Sequence, residues 1–244
     1  MSLLWRSKQT RLCVCPDRIL VAGAKPVAVE KDFLESLSAV LESRREHQVG
    51  IVLADSFVRY LLLPWNAALR TEDQWLALAR HRFAGVYGAQ AAAEWEVKLA
   101  ATAPHGARLA CAIERSLVAA LAERCVAARV DLLSVEPFLV AAFNKMTSSL
   151  RELMGAGSCW LVIEEPGRLT LAYLHKGAWV AVRSRRVDAN WRMALPEIIE
   201  RESACLALSE TCTRVVVCAQ DAFDTQMHEA FRTHALSYKE LALA

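Results

Sequence analysis

The chain has 244 residues, 55% of them hydrophobic and 23% charged, with a formal net charge of +2. That composition can bury a core in one large domain or two small ones, and it excludes a disordered chain, which would pair low hydrophobicity with high net charge. So small a charge imbalance gives no electrostatic reason to expect nucleic acid or an acidic membrane surface as partner.

The first residues, MSLLWRSKQTRLCVC, hold too short an apolar stretch for a signal peptide, and no run approaches the roughly 18 apolar residues of a membrane span. The expected location is cytoplasmic, without direct membrane insertion. The eight cysteines lie in apolar stretches of a large chain and read as free, buried thiols rather than a disulfide framework.

Residues 11 to 30 read as a β-hairpin turning at Pro16-Asp17. Asp32 is placed to cap a helix that carries Phe33, Leu37, Val40 and Leu41 on one face. VGIVLADSFVRYLLLPW (49 to 65) reads as two strands with a turn near Asp55-Ser56, stopped by Pro64. Thr71 with Gln74 three residues on forms a capping box, opening a helix with Trp75, Leu78, Ala79, Phe83 and Val86 that ends at Gly88. Two strands follow, AEWEVKL (93 to 99) and ARLACAI (107 to 113), split by the turn Pro104-His105-Gly106. Leu117, Leu121 and Cys125 mark a helix, VDLLSVE (130 to 136) a strand, and Phe138 to Met154 a longer helix.

Gly155-Ala156-Gly157-Ser158 is the best linker in the chain. CWLVIEE, RLTLAYL and AWVAVRSR then make a three-stranded meander turning at Pro166-Gly167 and Lys176-Gly177. A helix through Trp191, Leu195, Ile198, Ile199, Cys205 and Leu206 follows, then the strand RVVVC (214 to 218) and a last helix with Phe223, Met227, Ala230 and Phe231. Both halves open with a hairpin and cover it with helices, which predicts two related lobes rather than one doubly wound sheet.

No catalytic centre is legible. There is no GxSxG elbow, and none of the six histidines has an identifiable carboxylate or thiol partner. Cys13 and Cys15 sit on one face of a strand, a spacing that suits core residues better than a zinc pair. Neither GxxxxGK[ST] nor GxGxxG occurs to cradle phosphate. The basic clusters Arg44-Arg45, Arg80-His81-Arg82 and Arg183 to Arg186 lack aromatic interleaving and read as solvated faces.

VLADSFVRYLLLPWNAALRTEDQWLALARHRFAGVYG (52 to 88) resembles the inserted subdomain of PilM-type pilus assembly proteins. LACAIERSLVAALAERCVAARVDLLSVEPFLVAAFNK (109 to 145) resembles its continuation, and residues 159 to 185 the opening meander of the second lobe. The resemblance extends to the cytoplasmic part of GspL in type II secretion and to FtsA, all in the actin-like ATPase superfamily. It implies an α/β, actin-like (ribonuclease H-like) fold of two lobes. The first lobe would span 1–154 with an inserted α/β subdomain at about 49–133, and the second, shortened lobe 155–244.

The departures from that family are local. Its first hairpin turn is an Asp-x-Gly phosphate loop, whereas Cys15-Pro16-Asp17-Arg18 stands here, without glycine and with one N–H donor removed by Pro16. The second loop is Glu164-Glu165-Pro166-Gly167, and Ala219-Gln220-Asp221 replaces the family's Gly-Gly turn. The resemblance therefore implies a pseudo-ATPase: a non-catalytic cytoplasmic scaffold, without cofactor or metal, at the inner face of the cytoplasmic membrane. Its expected partner is the cytoplasmic tail of a PilN-like inner-membrane protein, with motor ATPase components beyond it and no nucleic acid. Phe57, Arg59, Trp65, Trp75 and Phe83 are the candidate contacts, since Trp and Arg are common interface anchors. The competing expectation is ATP with Mg2+ held by Asp17, Glu164 and Gly167.

Overall fold

The computed structural model describes residues 9–43, 48–100, 105–149, 157–208, 212, 214–219 and 232–237. The chain runs β1 (Gln9–Val14), β2 (Arg18–Val21), β3 (Val27–Ala28), α1 (Phe33–Glu42), β4 (Gln48–Leu53), a 3-10 turn (Asp55–Phe57) and β5 (Arg59–Leu63). It continues through α2 (Glu72–Tyr87), α3 (Ala89–Ala93), β6 (Trp95–Leu99), β7 (Arg108–Glu114), α4 (Arg115–Ala127), β8 (Asp131–Pro137) and α5 (Phe138–Ser149). The second half holds β9 (Ser158–Glu165), β10 (Arg168–His175), β11 (Ala178–Arg186), α6 (Trp191–Cys205), β12 (Arg214–Ala219) and β13 (Arg232–Ser237).

Two five-stranded sheets share one topology. Their orders are β3-β2-β1-β4-β8 and β11-β10-β9-β12-β13. In each, three antiparallel strands lead into two parallel ones. The central parallel strands are apolar on both faces, as they must be when both faces are covered. Their pleat sorts the side chains into layers. On β1, Leu12 and Val14 join an outer cluster with Leu37 and Leu41 of α1 and Leu121 and Cys125 of α4. Cys13 and Cys15 point the other way, into a layer shared with Cys159, Leu161 and Ile163 of β9 and Val216 and Cys218 of β12. Trp160 and Val162 of β9 face outward onto Leu195, Ile198 and Ile199 of α6. Helix α5 lies in the shared layer through Phe138, Leu139, Ala142 and Met146. One continuous apolar core therefore joins the two sheets.

The third sheet, β5-β7-β6, is antiparallel. Its core packs Leu63, Val97, Ala110 and Ala112 against Trp75, Ala79 and Phe83 of α2. The capping box holds: the Thr71 side chain accepts from Gln74 N, the Gln74 side chain accepts from the Thr71 backbone, and Gly88 closes the helix at φ +92°. Asp32 likewise caps α1, its side chain accepting from Leu34 N at 3.0 Å.

The insertion is narrower than the expected 49–133. β4 and β8 pair in parallel with each other in the first large sheet, and α4 packs on that sheet's outer face, so these elements belong to the lobe. The two strands expected in residues 49 to 65 form, joined by the turn at Asp55–Phe57, and they enter different sheets. β13 forms beyond the last expected element, where no strand is expected. The expected last helix, residues 155–156 of the linker, and Arg44-Arg45 lie outside the described residues.

Candidate functional site

Where β9 of the second sheet ends, Glu165 turns into the space between the sheets. It is 3% exposed. Its Oε2 accepts the backbone N–H of Ser56 at 2.8 Å and its Oε1 accepts that of Asp55. These are the first amides of the 3-10 turn, donors that a helix start leaves without partners. Asp55, 2% exposed, passes the link on. Its Oδ1 accepts from Tyr60 Oη on β5 at 2.5 Å and from Leu139 N at the start of α5 at 3.0 Å. A carboxylate at a helix N-terminus is stabilised by the orphan N–H groups and the helix dipole. One relay, Glu165 to Asp55 to α5 and β5, thus ties together both lobes and the root of the inserted sheet.

Burial dominates the electrostatics of this pair. It lifts the Asp55 carboxyl to about 6, while the Tyr60 and Leu139 donors, the Thr170 hydroxyl and the Arg168 charge pull the other way. Burial, reinforced by the Asp55 charge, lifts Glu165 to about 8 against the pull of the two amides. Around neutral pH the two carboxyls therefore hold one proton between them. Asp55 Oδ2 makes no hydrogen bond of ordinary geometry.

Two grooves flank the inserted sheet on opposite edges. The larger, about 1020 Å³, separates β5 from β11 and is lined by Arg59, Arg168, Arg183, Arg185 and Arg186 together with apolar side chains. The smaller, about 270 Å³, separates β6 from β8 and has Ile113, Leu132, Leu133 and Val135 in its walls together with Glu96, Lys98 and Ser134. Leu133 is 48% exposed there.

The residues expected to hold a nucleotide are otherwise engaged. Asp17 Oδ2 accepts two hydrogen bonds from Arg18, at 2.9 and 2.8 Å. Glu164 is half-buried on β9, on the opposite side of the pleat from Glu165. Gly167 is exposed in the β9–β10 turn at φ +73°, its carbonyl accepting from Val187 N at 3.1 Å. None of the three lines the large cleft. Arg18 pairs with the acid of the first turn, and the buried Glu165 of the second accepts amides of the opposite lobe. Among the described residues no group of three or more potential metal ligands occurs.

The expected partner contacts separate by burial. Trp75 (1%) and Phe83 (0%) are the core of the insertion and do not reach its surface. Phe57 is half-buried and packs on Phe33 at 5.1 Å. Trp65 is 39% exposed, stacked on Trp75 at 5.8 Å with the His105 ring edge-on at 4.8 Å. Arg59 lines the large cleft, its Nη1 donating to the Ser56 and Val58 carbonyls at 3.3 Å each.

The cysteines are free, and Cys13 Sγ lies 3.9 Å from Cys15 Sγ in the core. Cys205 departs from the expectation of burial, because it is exposed at the end of α6. Sequence reading missed the Glu165–Asp55 relay and treated Arg183 to Arg186 as a solvated face. The only signal for either was two adjacent acids before a Pro-Gly turn and a basic run on a strand.

No protein-family model matches the chain, and no curated protein matches it. Solved structures do. A protein with actin-like ATPase fold and unknown function from Bacteroides thetaiotaomicron aligns over 97% of this chain and 94% of that one, at 11% identity and TM-score 0.62. The PilM-PilN type IV pilus biogenesis complex aligns over 97% and 90%, at 10% identity and TM-score 0.69. The cytoplasmic domain of EpsL, an inner membrane component of the type II secretion system of Vibrio cholerae, aligns over 96% and 91%, at 13% identity and TM-score 0.57. The chain has the actin-like fold, with an inserted three-stranded subdomain in its first half.

Proposed function

We propose that the chain is a non-catalytic scaffold of a type IV pilus or type II secretion machine, holding the cytoplasmic tail of a PilN-like inner-membrane partner. The observation that carries this reading is the Glu165 carboxylate. It stands in the turn where the resemblance places a phosphate loop, yet it accepts the amides of Asp55 and Ser56 from the opposite lobe. A site that must open for nucleotide is poorly served by a buried acid that fastens it shut. The likeness to the PilM-PilN complex and to the EpsL cytoplasmic domain supports the kind of machine and the kind of partner.

The tail is assigned to the groove between β6 and β8. Its walls expose Leu133 beside Leu132, Val135 and Ile113, an apolar surface suited to the hydrophobic anchors of an extended segment. No helix among the described residues is long and apolar enough to cross a membrane. Attachment to the inner face of the cytoplasmic membrane then runs through the partner, which also brings the scaffold within reach of motor ATPase components.

Co-purification tests the proposal. The chain, co-expressed with a PilN-like membrane protein, should retain that protein, and Leu133→Glu should release it. Failure to retain it sinks the reading.

A further inference from the structure

The cleft between β5 and β11 lies on the other edge of the inserted sheet from the groove assigned to the tail. β11 is the outer strand of the second large sheet and β5 the outer strand of the inserted one, and neither outer edge pairs with another strand among the described residues. Such an edge presents a row of backbone donors and acceptors, which proteins normally cover or blunt. Here two of them look onto one concave space.

The charge of that space is one-sided. Among the described residues five arginines line it, and Asp55 is the only carboxylate in its walls, buried and already bound by Tyr60 and Leu139. Arg168 on β10 stands directly opposite Arg186 on β11. Like charges in directly opposed cross-strand positions destabilise a sheet. Glu165 flanks Arg168 on its other side but turns its carboxyl to the Asp55 and Ser56 amides. Arg185 reaches Glu202 of α6 at 3.3 Å, while Arg183 and Arg186 are exposed. A cationic cluster kept at a cost in stability is complementary to an anionic ligand.

The shape selects the ligand class. Among the described residues no glycine occurs in the walls, so the cleft offers no glycine-rich backbone cradle for phosphate. Val86, Tyr87 and Val180 are 61%, 40% and 41% exposed along the same cleft. Apolar exposure between arginines at two open strand edges suits a polypeptide.

We infer that this cleft receives an acidic, extended polypeptide segment, which adds as a strand to the open edge of β11 and packs apolar side chains on Tyr87 and Val180. β5 already packs close to part of β11, so the segment takes only the remaining stretch of that edge, at ~3.3 Å per residue. This second docking surface gives the molecule two peptide grooves, one on each side of the inserted sheet.

The test is fluorescence anisotropy of the full chain with a labelled, end-capped octapeptide alternating Glu with Val or Tyr, at low salt. Saturable binding is expected. It should weaken ~10-fold in the double variant Arg183→Glu/Arg186→Glu, and that variant should instead bind the matching Lys-alternating peptide. N-methylation of alternate peptide amides should also abolish binding, because strand addition needs those donors. A thermal melt of the double variant checks that it is folded. The inference is overturned if the peptide does not bind, if affinity is indifferent to the charge reversal, if N-methylation leaves it unchanged, or if tripolyphosphate or anionic vesicles bind while the peptide does not.

Discussion

Glu165 and Asp55, 110 residues apart in the chain, meet where the carboxylate of the first accepts the backbone N–H of the second. The contact crosses from one sheet to the other, and the Asp55 side chain carries it into α5 and the inserted sheet. The molecule is thus held at its centre by side chain–backbone hydrogen bonds between its two large sheets.

Removing the clamp should be expensive. Glu165→Ala leaves two amide donors without acceptors in a nearly dry environment, at roughly 1–3 kcal/mol for each group left unsatisfied. Glu165→Gln keeps one acceptor but turns an NH2 toward the second amide, so it should fall between the two. Urea unfolding followed by circular dichroism measures both. A Glu165→Ala protein as stable as the native one contradicts the relay.

The same pair sets a pH dependence of definite sign. Both carboxyls have pKa values raised on folding, Glu165 from 4.5 to about 8 and Asp55 from 3.8 to about 6. The folded state therefore binds protons more tightly than the unfolded chain across that span. The stability contributed by these protons is complete below about pH 4 and is lost as pH rises toward 8. Tyr60 and the thiols Cys13, Cys111 and Cys218 also face this centre, and burial raises their pKa values too, which keeps the sign. Between pH 5 and pH 8 unfolding free energy should fall from this source, and the fall should shrink in Glu165→Gln. Denaturation at a series of pH values checks it.

The aromatic residues of the insertion divide into core and surface. Phe83→Ala should cost about 3–5 kcal/mol, since Phe83 is fully buried against Ala112, Val97 and Trp95. Trp65→Ala should cost roughly 1 kcal/mol or less, because it removes an exposed ring that stacks on Trp75. Equal losses in the two variants, measured by thermal unfolding, contradict this packing.

Thiol chemistry reports the burial directly. Cys205 is exposed and the other seven cysteines are buried. Burial pushes the Cys159 thiol up to about 11, and those of Cys111 and Cys218 higher still. One equivalent of a maleimide should react quickly with native protein and none with Cys205→Ser, while all eight thiols of the native sequence react in denaturant. Rapid labelling of more than one site in the native state contradicts the shared core.

Much of the fold was legible because local chemistry and burial agree. The Thr71–Gln74 capping box, the Asp32 cap and the Pro166-Gly167 turn each have a short-range signature, and all stand where the sequence places them. What could not be read depends on pairing between distant segments. Nothing local says that β4 and β5 enter different sheets, so the expected span 49–133 takes in elements that pair and pack with the first large sheet. Glu164 and Glu165 are neighbours in sequence, and only the pleat and the second lobe's position decide that Glu165 is the buried one. The Arg183–Arg186 run acquires its meaning from β5, which approaches it from more than a hundred residues away.

The measurement that bears most directly on the scaffold reading is titration calorimetry of the full chain with two ligands in parallel. One is the N-terminal cytoplasmic tail of a PilN-like membrane protein, and the other is ATP with magnesium. Saturable binding of the tail at a Kd of about 1–10 μM, lost in Leu133→Glu, with no heat from ATP, is the expected result. Micromolar ATP binding that disappears in Glu164→Ala, with no binding of the tail, would contradict it.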